Sequence, residues 1–346
     1  MAIHDVAVRF FREQLAGSWV PGYLADRGFD SDVQRQWQAG YAAPGWDTLV
    51  RHLRAAYYPD SLIEAAGLAR RTRGGQLTDT FRDRAVIPIH AAHGAVVAFI
   101  GRAAPQADQD VPKYLNSPTT PLYGKRAVLF GLWEARPALA AGATPVIAEG
   151  PLDVIAIAIA GQGRYAPVAP CGTALTAQQA AALSQACDLS GREVLVAFDA
   201  DQAGRRAAIG AYDRFSRLGA TTKAVTLPPG RDPAEILRDH GPSILAAALA
   251  QRRRPLADLV VDAEADSWRR WLSYPEGQIG ALRATARVVA SMPPADVGRQ
   301  VGRLADRLGL DHATVTGAVT DALTELTAGA PAIRPARRRG RAPRAR

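Results

Sequence analysis

Two short apolar runs, each ending in acidic residues, constrain this chain more than any other feature. The first is Thr144 to Asp153, TPVIAEGPLD. Pro145-Val146-Ile147-Ala148 has the character of a buried strand, and Glu149-Gly150 that of a sharp turn. Pro151 suits the first turn of a helix, where an N–H would have no partner. The second run is Glu193 to Gly204, EVLVAFDADQAG. Val194 to Phe198 predicts another buried strand, and Gly204 allows a tight turn into the helix after it.

Ligands of α/β sheets gather beyond the carboxyl ends of the strands. Glu149, Asp153, Asp199 and Asp201 all fall at such ends. Side chains at i and i+2 of a strand share a face, so Asp199 and Asp201 point the same way, roughly 6–7 Å apart. Carboxylates crowded together repel unless a cation neutralises them. Oxygen donors without a matching His or Cys set suit Mg²⁺ or Mn²⁺. Taken singly, each acid reads equally well as a helix cap or a solvated loop residue. Taken together, they read as a metal site.

The pattern E-G-x-x-D after one strand and D-x-D-x-x-G after a second resembles the Toprim domain. That domain is shared by bacterial DnaG-type primases, type IA and II topoisomerases and some nucleases. Upstream residues narrow the resemblance to the DnaG-type primase. FRDRAVIPIHAAHGAVVAFIGR (Phe81 to Arg102) and KYLNSPTTPLYGKRAVLFGL (Lys113 to Leu132) are similar to that family's stretches. The N-terminal fragments YLADRG, GYA and AGL fit as well. KYLNSP is specific, because topoisomerase and nuclease Toprim domains do not carry it. The match covers roughly residues 5 to 325.

The resemblance implies an α/β core, with a Toprim Rossmann-like parallel sheet between an N-terminal mixed α/β lobe and a C-terminal helical lobe. The expected divisions are 1–128, 129–250, 251–328 and a disordered Arg-rich tail, 329–346. It further implies a DNA-dependent RNA primase using single-stranded DNA, NTPs and two Mg²⁺ or Mn²⁺ ions. Asp199, Asp201 and Asp232 would be metal ligands, and Glu149 either a ligand or the general base for the attacking 3′-hydroxyl. Asp153 is a lesser candidate that could orient the turn. Arg84, Arg102, Lys113, Asn116 and Lys125 would contact template or nucleotide. Asp232 lies in PPGRDP (Pro228 to Pro233), similar to the family's G-x-D-P loop. Many members carry another Asp two residues on; here that place is Ala234, with Glu235 beside it. Either Glu235 substitutes, or one metal is held more weakly. The alternatives are a Toprim nuclease and a non-catalytic nucleic-acid-binding module.

The remaining sequence bounds these readings. Seven of the nine net positive charges fall between Arg334 and Arg346, so the body is near neutral and any nucleic-acid site must be a local patch. The tail could grip phosphates without sequence preference. Only Cys171 and Cys187 are present, with no C-x-x-C pair and no zinc spacing among the six His, so no zinc site and no disulfide framework is expected. A reducing, cytoplasmic compartment fits, and no apolar run is long enough to span a membrane. The family's zinc ribbon and helicase-binding domain have no counterpart here. The chain thus resembles a free-standing primase core or one part of a split system, and a replicative helicase or a separate zinc-binding template-recognition protein is a candidate partner.

Local patterns predict further elements. Val6–Leu15, Leu49–Tyr57 and Ser61–Leu68 read as helices, with a Pro-Gly break opening Val20–Phe29. Ser31-Asp32 is expected to cap the following helix. Trp37, Tyr41, Trp46, Tyr57 and Tyr58 are expected as core or helix-packing residues. Arg84–Ile89 and Val96–Ile100 read as a hairpin around Gly94, followed by a loop bearing Lys113 and Lys125. Four helices fill 255–328. The resemblance further implies that Gly172-Thr173 lies in a loop near the metal site.

Overall fold

Short amphipathic segments open the chain as α1 (Ala2–Glu13), α2 (Val20–Ala25) and α3 (Ser31–Gln36), then β1 (Gly40–Ala42), α4 (Thr48–Ala55) and α5 (Asp60–Ala65). The computed structural model describes residues 2–172, 174–198, 202–228 and 230–328. Pro21 sits inside the first turn of α2, so the expected break is a helix start. The cap of α3 is Asp30, whose carboxylate accepts from the Asp32 and Val33 N–H groups; Ser31 and Asp32 are already helical. Trp37 is buried and stacks on Phe130, with ring centroids 5.5 Å apart. Trp46 and Tyr57 are instead 63% and 95% exposed, which corrects their expected place in the core or packed between helices.

A hairpin, β2 (Ala69–Arg71) and β3 (Leu77–Asp79), precedes β4 (Arg84–His90), β5 (Val96–Ala103) and β6 (Tyr114–Asn116). Strands β1-β4-β5-β6 form an antiparallel sheet in that order. Tyr114–Asn116 pairs with Ile100–Arg102, so the expected loop is partly an edge strand. The Pro residues that follow end it. Ile3, Phe11, Leu49, Leu53, Phe81 and Phe99 pack as an apolar core with this sheet.

Asp79 ties α4 to β3. Its buried carboxylate accepts from Leu49 N at 2.8 Å and Val50 N at 3.0 Å. Burial nevertheless pushes it up to about 6 from the usual 3.8. The folded state then holds a proton that the unfolded chain releases at lower pH. Stability contributed by this group is therefore fully present below about pH 4 and is lost as pH rises through about 6. Thermal melting should show this loss in the parent and a flatter profile across that window in Asp79→Asn. An unchanged slope in the variant would contradict the assignment.

The second sheet is built from β7 (Leu129–Phe130), α6 (Leu132–Ala140), β8 (Thr144–Ala148), α7 (Pro151–Gly161), β9 (Tyr165–Pro170), α8 (Ala177–Ala186) and β10 (Glu193–Ala197). It continues through α9 (Gln202–Ser216), β11 (Thr221–Val225), α10 (Pro233–His240), α11 (Pro242–Gln251) and β12 (Arg253–Pro255). Strand order is β12-β11-β10-β8-β9-β7. The four inner strands are parallel, and β7 and β12 are antiparallel edges. Val146, Ile147, Val194 and Leu195 are fully buried, as expected where helices connect parallel strands.

Residues Met1–Leu259 form one compact unit and Val260–Arg346 another. The chain passes between them within α12 (Leu256–Ser267) and continues as α13 (Pro275–Ala290), α14 (Pro294–Leu308) and α15 (His312–Thr327). In the second unit Arg303 and Arg307 both bind Asp262, and Asp311 caps α15 through Thr314 N at 2.8 Å. Among the described residues no helix is long and apolar enough to cross a membrane.

Candidate active site

Strand register sets the site. Ala148 of β8 pairs with Ala197 of β10, so Glu149 and Phe198 emerge side by side from the carboxyl edge of the sheet. Asp199 and Asp201 follow directly in sequence but lie outside the described residues, as do Thr173 and the tail 329–346.

Asp153 closes the turn after Glu149. Its Oδ2 accepts from Gly150 N at 3.1 Å, which caps α7. Its Oδ1 accepts from Ala234 N at 3.3 Å, in the first turn of α10. One buried carboxylate thus joins two helix N-termini, where the backbone dipoles favour negative charge. Asp232 caps α10, accepting from Glu235 N at 2.7 Å, while Glu235 reaches back to Asp232 N at 3.3 Å. Burial raises the Asp232 pKa above the carboxylate norm and the nearby Glu235 charge raises it further. The Glu235 N–H bond, Lys113 and Arg238 work against that rise.

Glu149, Asp153, Asp232 and Glu235 line one cavity of about 270 Å³, together with Arg27, Arg102, Lys113 and Arg238. Four acids therefore face four cations. Arg102 lies between the Tyr23 and Tyr114 rings, 5.6 Å from each centroid. Its Nη1 donates to Ala103 O at 2.7 Å, and its buried Nε has no hydrogen-bond partner among the described residues. Arg27 stacks at 3.8 Å over Tyr23. Burial raises the Tyr114 pKa, so its hydroxyl stays protonated.

A second cavity of about 420 Å³ also borders Glu149, with Gly172, Ala174, Phe198 and Arg206. Glu149 is thus common to both. Asn116 stands beside the Gly172 turn, its Nδ2 donating to Cys171 O at 3.4 Å. Gly172 has φ +84, and a Cβ there would fall 2.7 Å from Asn116 Nδ2. Burial raises the Cys171 pKa, and the Lys125 charge works weakly against that rise. Gln179 holds the neighbouring backbone by donating to Lys125 O and Val128 O.

The structure thus brings Arg102 and Lys113 to the acids and sets Asn116 at the Gly172 turn, while Lys125 is tied through its backbone oxygen to Gln179. Arg84 is different. It is 5% exposed, and its Nη1 donates to Gly101 O and Pro112 O, at 3.2 and 2.9 Å. Its guanidinium fastens the segment before Lys113 to β5. Tyr23, Arg27, Tyr114, Arg206 and Arg238 are additional cavity residues. The first three lie inside YLADRG and KYLNSP, motifs that signal them in the sequence, but their meeting at one cavity depends on the fold.

The carboxylate set suits a hard divalent cation, since no His or Cys nitrogen or sulfur lines the cavity. Among the described residues no cluster of three candidate ligands stands close enough to hold a metal.

Residues 10–136 match the model of the DNA primase catalytic core, N-terminal domain, and residues 146–237 match a Toprim-like model. A DNA primase of Pseudomonas putida is 35% identical over 319 residues, covering 89% of this chain and 46% of its own length. The chain thus spans about half the length of the curated relatives it matches. The RNA polymerase domain of Mycobacterium tuberculosis primase DnaG, solved with double-stranded DNA, is 32% identical with a TM-score of 0.74. That match covers 90% of this chain and 98% of the domain. A DnaG primase catalytic domain bound to single-stranded DNA is 28% identical with a TM-score of 0.74, covering 90% and 97%. Matched across both halves of its Toprim-containing core, this chain belongs to the DnaG-type DNA primase family.

Proposed function

We propose that this chain makes short RNA primers from NTPs on single-stranded DNA, and that the cavity beside Glu149 receives the nucleotide triphosphate. The observation that carries the reading is Arg102, held by Tyr23 and Tyr114 with a buried Nε–H lacking a partner among the described residues. A buried donor of this kind fits a phosphate oxygen. Arg27, Lys113 and Arg238 add positive charge along the same wall.

The reaction joins a primer 3′-oxygen to the α-phosphorus of the next NTP. The bond to the β-phosphate bridging oxygen breaks and pyrophosphate leaves. Glu149 either takes the 3′-hydroxyl proton or helps hold a divalent cation. Asp199, Asp201 and Asp232 would hold cations, Mg²⁺ or Mn²⁺, which would neutralise the triphosphate when bound. Asp153 keeps the Glu149 turn and the Asp232 cap in register. Asn116 supports the Gly172 turn, and Lys125 would contact template or nucleotide. Arg84 acts from behind by fixing the Lys113 segment. A replicative helicase or a zinc-binding template-recognition protein would be the partner in initiation.

Incorporation of labelled NTPs on a single-stranded template tests the reading. Template-dependent RNA products support it; metal-dependent cleavage of the template without them indicates a nuclease.

A further inference from the structure

The turn between α12 and α13 reads Trp268-Arg269-Arg270-Trp271-Leu272-Ser273-Tyr274. Two Trp, two Arg and a Tyr occur here without an acid. Trp271 is 54% and Tyr274 59% exposed, and both Arg side chains are exposed. Among the described residues neither Arg269 nor Arg270 has an ion-pair partner. Asp266, one turn earlier, is paired with Arg307 at 2.7 Å. Glu276 follows in the first turn of α13.

The turn is held firmly. Trp268, Arg269, Trp271 and Tyr274 each donate a backbone N–H three residues back, to Ala265, Asp266, Trp268 and Trp271. Gln278 Nε2 donates to Leu272 O at 3.1 Å. Two glycines of α13 admit the turn. A Cβ at Gly277 would fall 1.9 Å from Trp271 O, and one at Gly280 would fall 2.4 Å from the Trp268 ring. Trp268 is therefore packed inward, while Trp271 and Tyr274 are left in solvent on a fixed backbone.

We propose that Trp271 and Tyr274, flanked by Arg269 and Arg270, form a stacking platform for single-stranded nucleic acid. Every base offers a π face to an exposed aromatic ring, and the guanidinium groups meet the phosphates between bases. Because the turn is pre-set, little ordering entropy is lost on binding. The platform rests on the reading of this chain as a polymerase that works on single-stranded DNA. It adds a strand contact in the helical unit to the nucleotide cavity of the first unit.

The test is fluorescence anisotropy of a labelled oligothymidylate with the full chain, so that the Arg-rich stretch Arg334 to Arg346 is common to every variant. W271A/Y274A should weaken binding by about 10- to 100-fold, and W271F/Y274F should stay within about threefold of the parent, because a ring is kept. R269Q/R270Q should lower the salt slope by about 1.4, as two phosphate contacts would on a single strand. Parental affinity in W271A/Y274A overturns the platform, as does equal loss in the Phe variant. Primer synthesis by the parent is scored separately. A parent that makes no primers but loses strand affinity in W271A/Y274A upholds the platform and overturns the polymerase reading. A parent that makes primers, with unchanged affinity in the variant, does the reverse.

Discussion

Glu149→Gln is expected to lower kcat for primer synthesis by about a thousandfold or more while leaving single-stranded DNA affinity and thermal stability near those of the parent. Glu149 lies one residue beyond β8 and borders both cavities. It is exposed, so the fold does not depend on burying it, and a surface change of this kind shifts stability by about 0.5 kcal/mol or less. Gln keeps the shape and removes both the charge and the proton-accepting capacity. The loss therefore falls on the chemical step under either role given to the residue. Pyrophosphate release at saturating NTP and template measures it. A kcat within about tenfold of the parent would place Glu149 outside the reaction.

Asp153→Ala should act differently, through the scaffold. The change leaves the Gly150 and Ala234 N–H groups without their acceptor. One buried donor, Ala234 N–H, and one half-buried donor, Gly150 N–H, left unsatisfied cost on the order of 1–4 kcal/mol together. The urea midpoint should fall accordingly, and the activity remaining at low temperature should fall with it, because the Glu149 turn and the Asp232 cap lose their common tie. Asp153→Asn keeps one carbonyl oxygen and should fall between parent and Ala. Parental midpoints in both variants would show that the two helix starts hold their places without this carboxylate.

How much of this was legible follows from the range of each interaction. Strands β8 and β10 are local patterns of apolar run and turn, and both strands stand in the structure where the sequence puts them, with Glu149 directly after β8. The β4–β5 hairpin around Gly94 is local as well. The cap of α3 was misread by one residue because Asp30, Ser31 and Asp32 are all competent caps; backbone entry angle selects Asp30. Strand β6 was hidden because three residues have no period, and only pairing with β5 makes them a strand.

Arg84 shows the harder limit. Its motif marks it as basic, but whether a guanidinium faces solvent or two carbonyls depends on where Pro112 returns to β5. The double duty of Asp153 likewise depends on Ala234, distant in sequence, arriving at the same turn. The cation wall collects Arg27, Arg102, Lys113 and Arg238 from four separate segments, so no single window displays it. Exposure of Trp46 is also a tertiary matter: the Arg82 guanidinium covers its ring at 3.5 Å, which lets a large aromatic stand outside the core.

The most direct measurement is primer synthesis by the whole chain on single-stranded DNA with labelled NTPs and Mg²⁺ or Mn²⁺, beside Glu149→Gln and Asp199→Asn. The account predicts short, RNase-sensitive products that need both template and metal, made by the parent and by neither variant. Template cleavage in place of synthesis, or equal products from the parent and the Glu149→Gln variant, would contradict it.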